Sequence, residues 1–145
     1  MPHKAASDLQ FLKLQLSDSE GNLLSENFYW RNGSKELDYT ALGSLPEADV
    51  RCRVLSAKRG RAEIELSNES GTVAFANRIR LVDADTGNRI LPAIMNDNYI
   101  TLMPGERRIV DVQLPDDNSS SRISVLVKQY GKTEKTMTTI TDKRR

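Results

Sequence analysis

A chain of 145 residues with 21 Lys+Arg against 20 Asp+Glu is one domain or one and a half, and it has no net field to draw in nucleic acid or an anionic membrane. It is too short for a (β/α)8 barrel, which needs about 200 residues or more; no run approaches the roughly eighteen apolar residues of a membrane span, and no signal peptide precedes Leu9. The single cysteine, Cys52, excludes an internal disulfide and any multi-cysteine metal site, and between Val50 and Val54 on an alternating stretch it reads as a small buried hydrophobe.

Residues 1–8 read as a loose start. Leu9 to Leu16 places Leu12, Leu14 and Leu16 on one face and Phe11 on the other; a polar turn over Ser17 to Asn22 returns the chain as Leu23 to Trp30. The pair is a β-hairpin with large apolar groups on both faces, which predicts cover from two sides, with Trp30 as packing. Gly33, Gly43 and Pro46 then break the rhythm, and Tyr39 to Leu42 fits one helical turn with Asp38 as N-cap.

From Ala48 the period-two alternation is steady. Val50, Cys52 and Val54 point inward, and after Lys58-Arg59-Gly60 so do Ala62, Ile64 and Leu66. Arg51 and Arg53 face outward opposite Glu63 and Glu65, a charge pattern that favours this register. Ala74 to Asp83 is a strand, Asp85 to Asn88 a turn, and Ile90 to Met95 a short strand bent by Pro92. In Asp97 to Leu114 the Pro104-Gly105 pair signals a type II turn between Tyr99–Leu102 and a strand with Val110, Val112 and Leu114 inward, together a second predicted hairpin. Arg122 to Tyr130 is the last strand, and Lys132 to Arg145 reads as a flexible tail. About seven short strands between residues 48 and 130 predict an all-β, immunoglobulin-like β-sandwich with an extra N-terminal β-hairpin.

Chemistry is harder to find. His3 is the only histidine and lies in the loose start, against a Ser-His-Asp or Cys-His arrangement. Glycoside hydrolysis needs two carboxylates about 5–10 Å apart across a cleft, whereas Glu63 and Glu65 read as an ion-paired surface. Asp83-x-Asp85-x-Gly87-Asn88 departs from a calcium loop, since its glycine is one position early and no glutamate follows in place. The basic run Arg51, Arg53, Lys58, Arg59 and Arg61 has glutamates rather than aromatics as neighbours, which fits a solvated face better than a nucleic-acid site. No catalytic residue, cofactor or metal is expected. The candidates for sugar contact are Asp97, Asn98, Tyr99 and Tyr39, two tyrosines flanked by polar residues and two such flanking residues. Asn32-Gly33-Ser34, Asn68-Glu69-Ser70 and Asn118-Ser119-Ser120 fit the N-glycosylation pattern.

FLKLQLSDSEGNLLSENFYW, then DYTALGSLP, then VAFANRIRLVDADTGNRILPAIMNDNYITLMPGERR together resemble the C-terminal part of glycoside hydrolase family 2 enzymes, in the branch of the β-mannosidases and exo-β-D-glucosaminidases. The resemblance runs in order over residues 9 to 130. It implies a non-catalytic, immunoglobulin-like accessory domain of a glycosidase whose catalytic glutamates lie in a barrel absent from this chain. It also implies an order of domains. Residues 1–37 would end a preceding immunoglobulin-like domain, 38–47 would be a linker, 48–131 the sandwich and 132–145 the tail. The expected partners are the other domains of the parent glycosidase, oligosaccharide, and a second copy of the chain through residues 9–30. The family implies a periplasmic or secreted setting. Two other classes fit the same residues: a stand-alone carbohydrate-binding module acting through Tyr99 or Tyr39, and an adhesion module that recruits a protein along a strand edge.

Overall fold

A computed structural model describes residues 9–33, 39–115 and 121–141. The loose start with His3, the Asp38 cap, Ser34, the Asn118-Ser119-Ser120 triplet and residues 142–145 lie outside them. The chain falls into two compact units, Met1–Leu45 and Pro46–Arg145.

In the first unit β1 (Leu9–Ser17) and β2 (Leu23–Asn32) form an antiparallel hairpin, with Phe11 opposite Trp30 and Leu12 opposite Tyr29. Asp18 builds the turn. Its carboxylate accepts from the Glu20 and Asn22 amides at 2.9 and 2.8 Å and from the Asn22 side chain, which holds its pKa below the ordinary carboxylate value, and Gly21 supplies the positive φ of +87°. Phe11 stacks on Phe28 with ring centroids 5.8 Å apart, and Trp30 tilts against Phe28. Two expectations are corrected. Trp30 is half-exposed rather than packed away, and Leu12, Leu14 and Leu16 are 47, 51 and 60% exposed, because a two-stranded sheet has no second layer of its own to lay over them. The expected helical turn is a single 3₁₀ turn at Thr40–Leu42.

The second unit is a β-sandwich. β3 (Val50–Lys58), β4 (Arg61–Asn68), β8 (Arg107–Gln113) and β6 (Ile94–Met95) make one sheet in the order β3-β4-β8-β6, all antiparallel; β10 (Lys135–Thr141), β9 (Arg122–Lys128), β5 (Ala74–Asp83) and β7 (Ile100–Leu102) make the other in the order β10-β9-β5-β7. The inward faces of β4 and β8 are as expected: Ile64, Leu66, Val110 and Val112 from one sheet meet Ile79, Leu81, Leu102, Ile123 and Val125 from the other in one buried cluster. The Arg53–Glu65 pair also forms as read, at 2.8 Å, but antiparallel pairing then sets Arg51 opposite Ser67, where it reaches Asp49, and a bulge after Val54 sets Ser56 opposite Glu63.

Three topological expectations fail, each for a physical reason. Asp97 to Leu114 is not a hairpin. The Pro104-Gly105 turn exists, closed by the Glu106 amide on the Met103 carbonyl at 3.0 Å with Gly105 at φ +78°, yet β7 pairs with β5 and β8 with β4. The amides of Gly105 and Asn68 reach the carbonyls of Asn68 and Glu106, tying the turn to the end of β4 and sending β8 into the opposite sheet. Ile90 to Met95 is likewise a crossover: the Ile90 amide bonds to Leu81 in one sheet, and only Ile94–Met95 pairs, with β8 in the other. Finally, Lys132 to Arg145 is not a tail throughout, since Lys135–Thr141 is an eighth sandwich strand with Ile140 fully buried.

Glu134, just before β10, receives Arg78 at 3.1 Å and Arg80 at 2.9 Å. The Arg80 hydrogen bond is the main cause that holds its carboxyl below the ordinary 4.5. A depressed folded pKa contributes stability above the ordinary value that disappears as pH falls through the folded one. Urea midpoints measured from about pH 6 to 3 should therefore drop less steeply in Glu134→Gln than in the wild type; parallel curves would refute the pair as an acid-sensitive tie.

Candidate functional site

The polar residues 96–99 cross from β6 to β7, from one sheet to the other, and each of the first three spends its side chain on the scaffold. Asn96 exchanges hydrogen bonds with Asp111 on β8: its side-chain oxygen accepts the Asp111 amide at 2.9 Å, and its own amide meets the Asp111 carbonyl at 3.2 Å. Asp97 lies 3.6 Å from the Arg108 guanidinium and accepts the Asn98 amide at 2.9 Å. Asn98 turns its carboxamide onto β5, accepting from the Ile79 amide at 2.7 Å and donating to the Ile79 carbonyl at 3.1 Å. Asn77 is paired with Ile100, so the Asn98 side chain does for Ile79 what one more backbone residue of β7 would have done.

With that side chain folded back, the next residue must turn away. Tyr99 sits at φ +54°, a left-handed conformation that costs a bulky L-residue about 1–2 kcal/mol, and the residue is 65% exposed. Of the four sugar-contact candidates, Asp97 and Asn98 thus act first as clamps, and Tyr99 is the one presented outward. Tyr39 belongs to the other compact unit, where it precedes the 3₁₀ turn and is 38% exposed.

The crossover begins at the rim of a groove of ≈ 600 Å³ lined by Ser56, Arg61, Glu63, Ile94, Asn96 and Asp111 among others. Glu63 on β4 lies directly opposite Asp111 on β8. Like charges in that relation are destabilising, and among the described residues each has a neutral partner: the Ser56 hydroxyl donates to Glu63 at 2.9 Å, and Asn96 serves Asp111. Sequence reasoning missed this pair because it assigned β8 to the wrong neighbour; with β8 beside β4 the alternation brings the two carboxylates together.

The other single-letter signals resolve into structure. Asp83 accepts the amides of Asp85 and Thr86 at 2.9 and 2.7 Å, a turn rather than a calcium loop, and no group of three or more metal-ligating side chains occurs among the described residues. Cys52 packs against the core, and burial pushes its thiol up to about 12, far from the thiolate form that reacts. Asn68 of Asn68-Glu69-Ser70 is buried with its amide donating to Thr72 and Leu102, so the folded chain presents no glycan acceptor there.

Residues 27–131 match the family described as the exo-beta-D-glucosaminidase Ig-fold domain. An exo-beta-D-glucosaminidase of Arthroderma benhamiae is 31% identical over 140 residues, covering 85% of this chain and 16% of the relative. One of Hypocrea virens is 32% identical over 130 residues, covering 73% and 14%. The exo-chitosanase CsxA of Amycolatopsis orientalis shares the fold, with a TM-score of 0.71 at 24% identity over 97% of this chain and 19% of that one. CsxA in a study of its inhibition by a glucosamine-configured castanospermine gives a TM-score of 0.72 at 25% identity, over 95% of this chain and 19% of that one. The chain spans 14–16% of the length of these curated relatives.

Proposed function

Because the chain belongs to the exo-β-D-glucosaminidase Ig-fold domain family, we propose that it is a non-catalytic scaffolding domain of a glycosidase acting on β-linked glucosamine. The observation that carries this reading is coverage: 85% of the chain is used by a match that takes up only 16% of a named glucosaminidase. The parent's remaining length has ample room for a catalytic barrel, which takes about 200 residues or more. On this reading residues 1–37 close a preceding sandwich, and the half-exposed Leu12, Leu14, Leu16 and Tyr29 are the face that its other strands cover. The role is mechanical: a rigid eight-stranded body holds its neighbours in place and contributes its outer faces to their packing.

A transplant tests it. Deleting the matching segment from the Arthroderma benhamiae enzyme should abolish soluble, active protein, and inserting this chain in its place should restore both. A deletion variant with undiminished turnover of p-nitrophenyl β-D-glucosaminide would overturn the scaffolding role. The 145-residue chain alone should release no nitrophenol from that substrate; release that vanishes in Glu63→Gln would overturn the non-catalytic reading.

A further inference from the structure

We propose that the β6–β7 crossover is itself a carbohydrate-contact site. In it the Tyr99 ring stacks on the apolar face of one β-linked glucosamine unit while the Glu63–Asp111 pair receives the ammonium of a neighbouring unit. The choice of sugar rests on the function proposed above; the site rests on four features of the geometry.

The first is strain with an over-determined frame. A tyrosine at φ +54° persists only where its surroundings force it, and here Asn96, Asp97 and Asn98 do so through bonds to Asp111, Arg108 and Ile79. Asparagine or glycine would occupy that conformation without penalty, so the ring is not there for the turn's sake. The second is presentation. The residue is exposed, and it is held by a frame that loses little freedom on binding, which is what lets one aromatic contact count.

The third is charge. Glu63 and Asp111 face each other across neighbouring strands with neutral hydrogen-bond partners, and against the one cation of the groove lining, Arg61, they leave one negative charge over, which a ligand cation relieves. A glucosamine unit carries such a cation on the carbon next to its glycosidic carbon. The fourth is distance along the chain. Asn96, on the groove rim, and Tyr99 are three residues apart, at most about 11 Å of extended chain. A short oligosaccharide can reach both. The axial C–H bonds of a β-linked pyranose lie on its faces and suit an aromatic ring, while its hydroxyls and amine point to the edge.

The test is a titration of the ¹⁵N-labelled 145-residue chain with β-1,4-linked glucosamine oligomers at mildly acidic pH, where their amines are charged. The amides of Asn96 and Tyr99 should shift saturably at millimolar oligomer. Tyr99→Asn should weaken binding about tenfold and at the same time raise Tm by about 2–4 °C, because it releases the strain. A merely structural tyrosine would lower Tm on replacement, and that result would overturn the proposal. Glu63→Gln/Asp111→Asn should weaken glucosamine oligomers while leaving N-acetylated oligomers, which lack the cation, unchanged; equal loss for both would remove the ammonium contact. No saturable shift of these amides with either oligomer would show that the ring meets no sugar. That outcome would sink this site and leave the scaffolding role standing.

Discussion

Ile140→Ala should lower the stability of the sandwich by about 2–5 kcal/mol, and a chain ending at Tyr130 should show no cooperative urea transition for this unit. Ile140 is fully buried in the common core, on a strand that pairs with β9 from Arg122 to Val127. Without β10, β9 becomes an exposed edge, and the inward residues Ile123, Val125 and Val127 lose a neighbour. The two Arg–Glu134 ties vanish as well. A domain has only about 5–15 kcal/mol to lose, and these losses fall on one side of one core. Far-UV circular dichroism against urea is the measurement. A truncated chain that keeps the midpoint and slope of the full one would show that β10 contributes nothing.

That strand also marks where the sequence stopped being informative. Lys135 to Thr141 reads KTMTTIT, with one large aliphatic residue among threonines. Alternation counted by apolar residues gives it almost no signal, whereas β-branched threonine suits a pleated edge strand as well as valine does. The buried faces of β3, β4, β5, β8 and β9 were legible because each repeats valine, isoleucine or leucine at period two. The partners of those strands were less so. Pro104-Gly105 announces a reversal, and a reversal between two strands reads as a hairpin, but nothing local says whether the second strand stays in the sheet of the first. Here the deciding contacts come from Asn68, 36 to 38 residues earlier in the chain than Pro104 to Glu106.

The site was legible to the same depth. The polar run before Tyr99 pointed to an exposed loop, and the ring is exposed. That Asp97 and Asn98 would be occupied as clamps could not be read, since it depends on Ile79 and Arg108 lying beside them. The Glu63–Asp111 opposition was hidden by the same misplaced strand.

Asn68 is therefore the residue whose replacement should cost most among the polar ones. Its side chain is 1% exposed and makes four contacts: the amide donates to the Thr72 and Leu102 carbonyls at 2.7 and 3.1 Å, and the oxygen accepts from the Ser70 amide and hydroxyl at 3.1 and 2.7 Å. Together with its backbone bonds to Gly105 and Glu106 it joins the end of β4 to the end of β7, one strand from each sheet. Asn68→Ala leaves a buried carbonyl and the Ser70 donors unmet, each costing about 1–3 kcal/mol, so a total of about 3–5 kcal/mol is expected. Asn68→Asp is nearly isosteric and still accepts from Ser70, yet at neutral pH it sets a carboxylate against two carbonyl oxygens in place of a donor, a worse arrangement than a void. The expected order at pH 7 is wild type, then alanine, then aspartate. The aspartate variant should recover part of its deficit on acidification, because the protonated carboxyl again has a hydrogen to donate. Urea midpoints at pH 7 and at about pH 5 separate the two. An aspartate variant as stable as the wild type at pH 7 would mean that the amide donors carry no part of the junction, and the tie between the sheets would have to be sought in the apolar core alone.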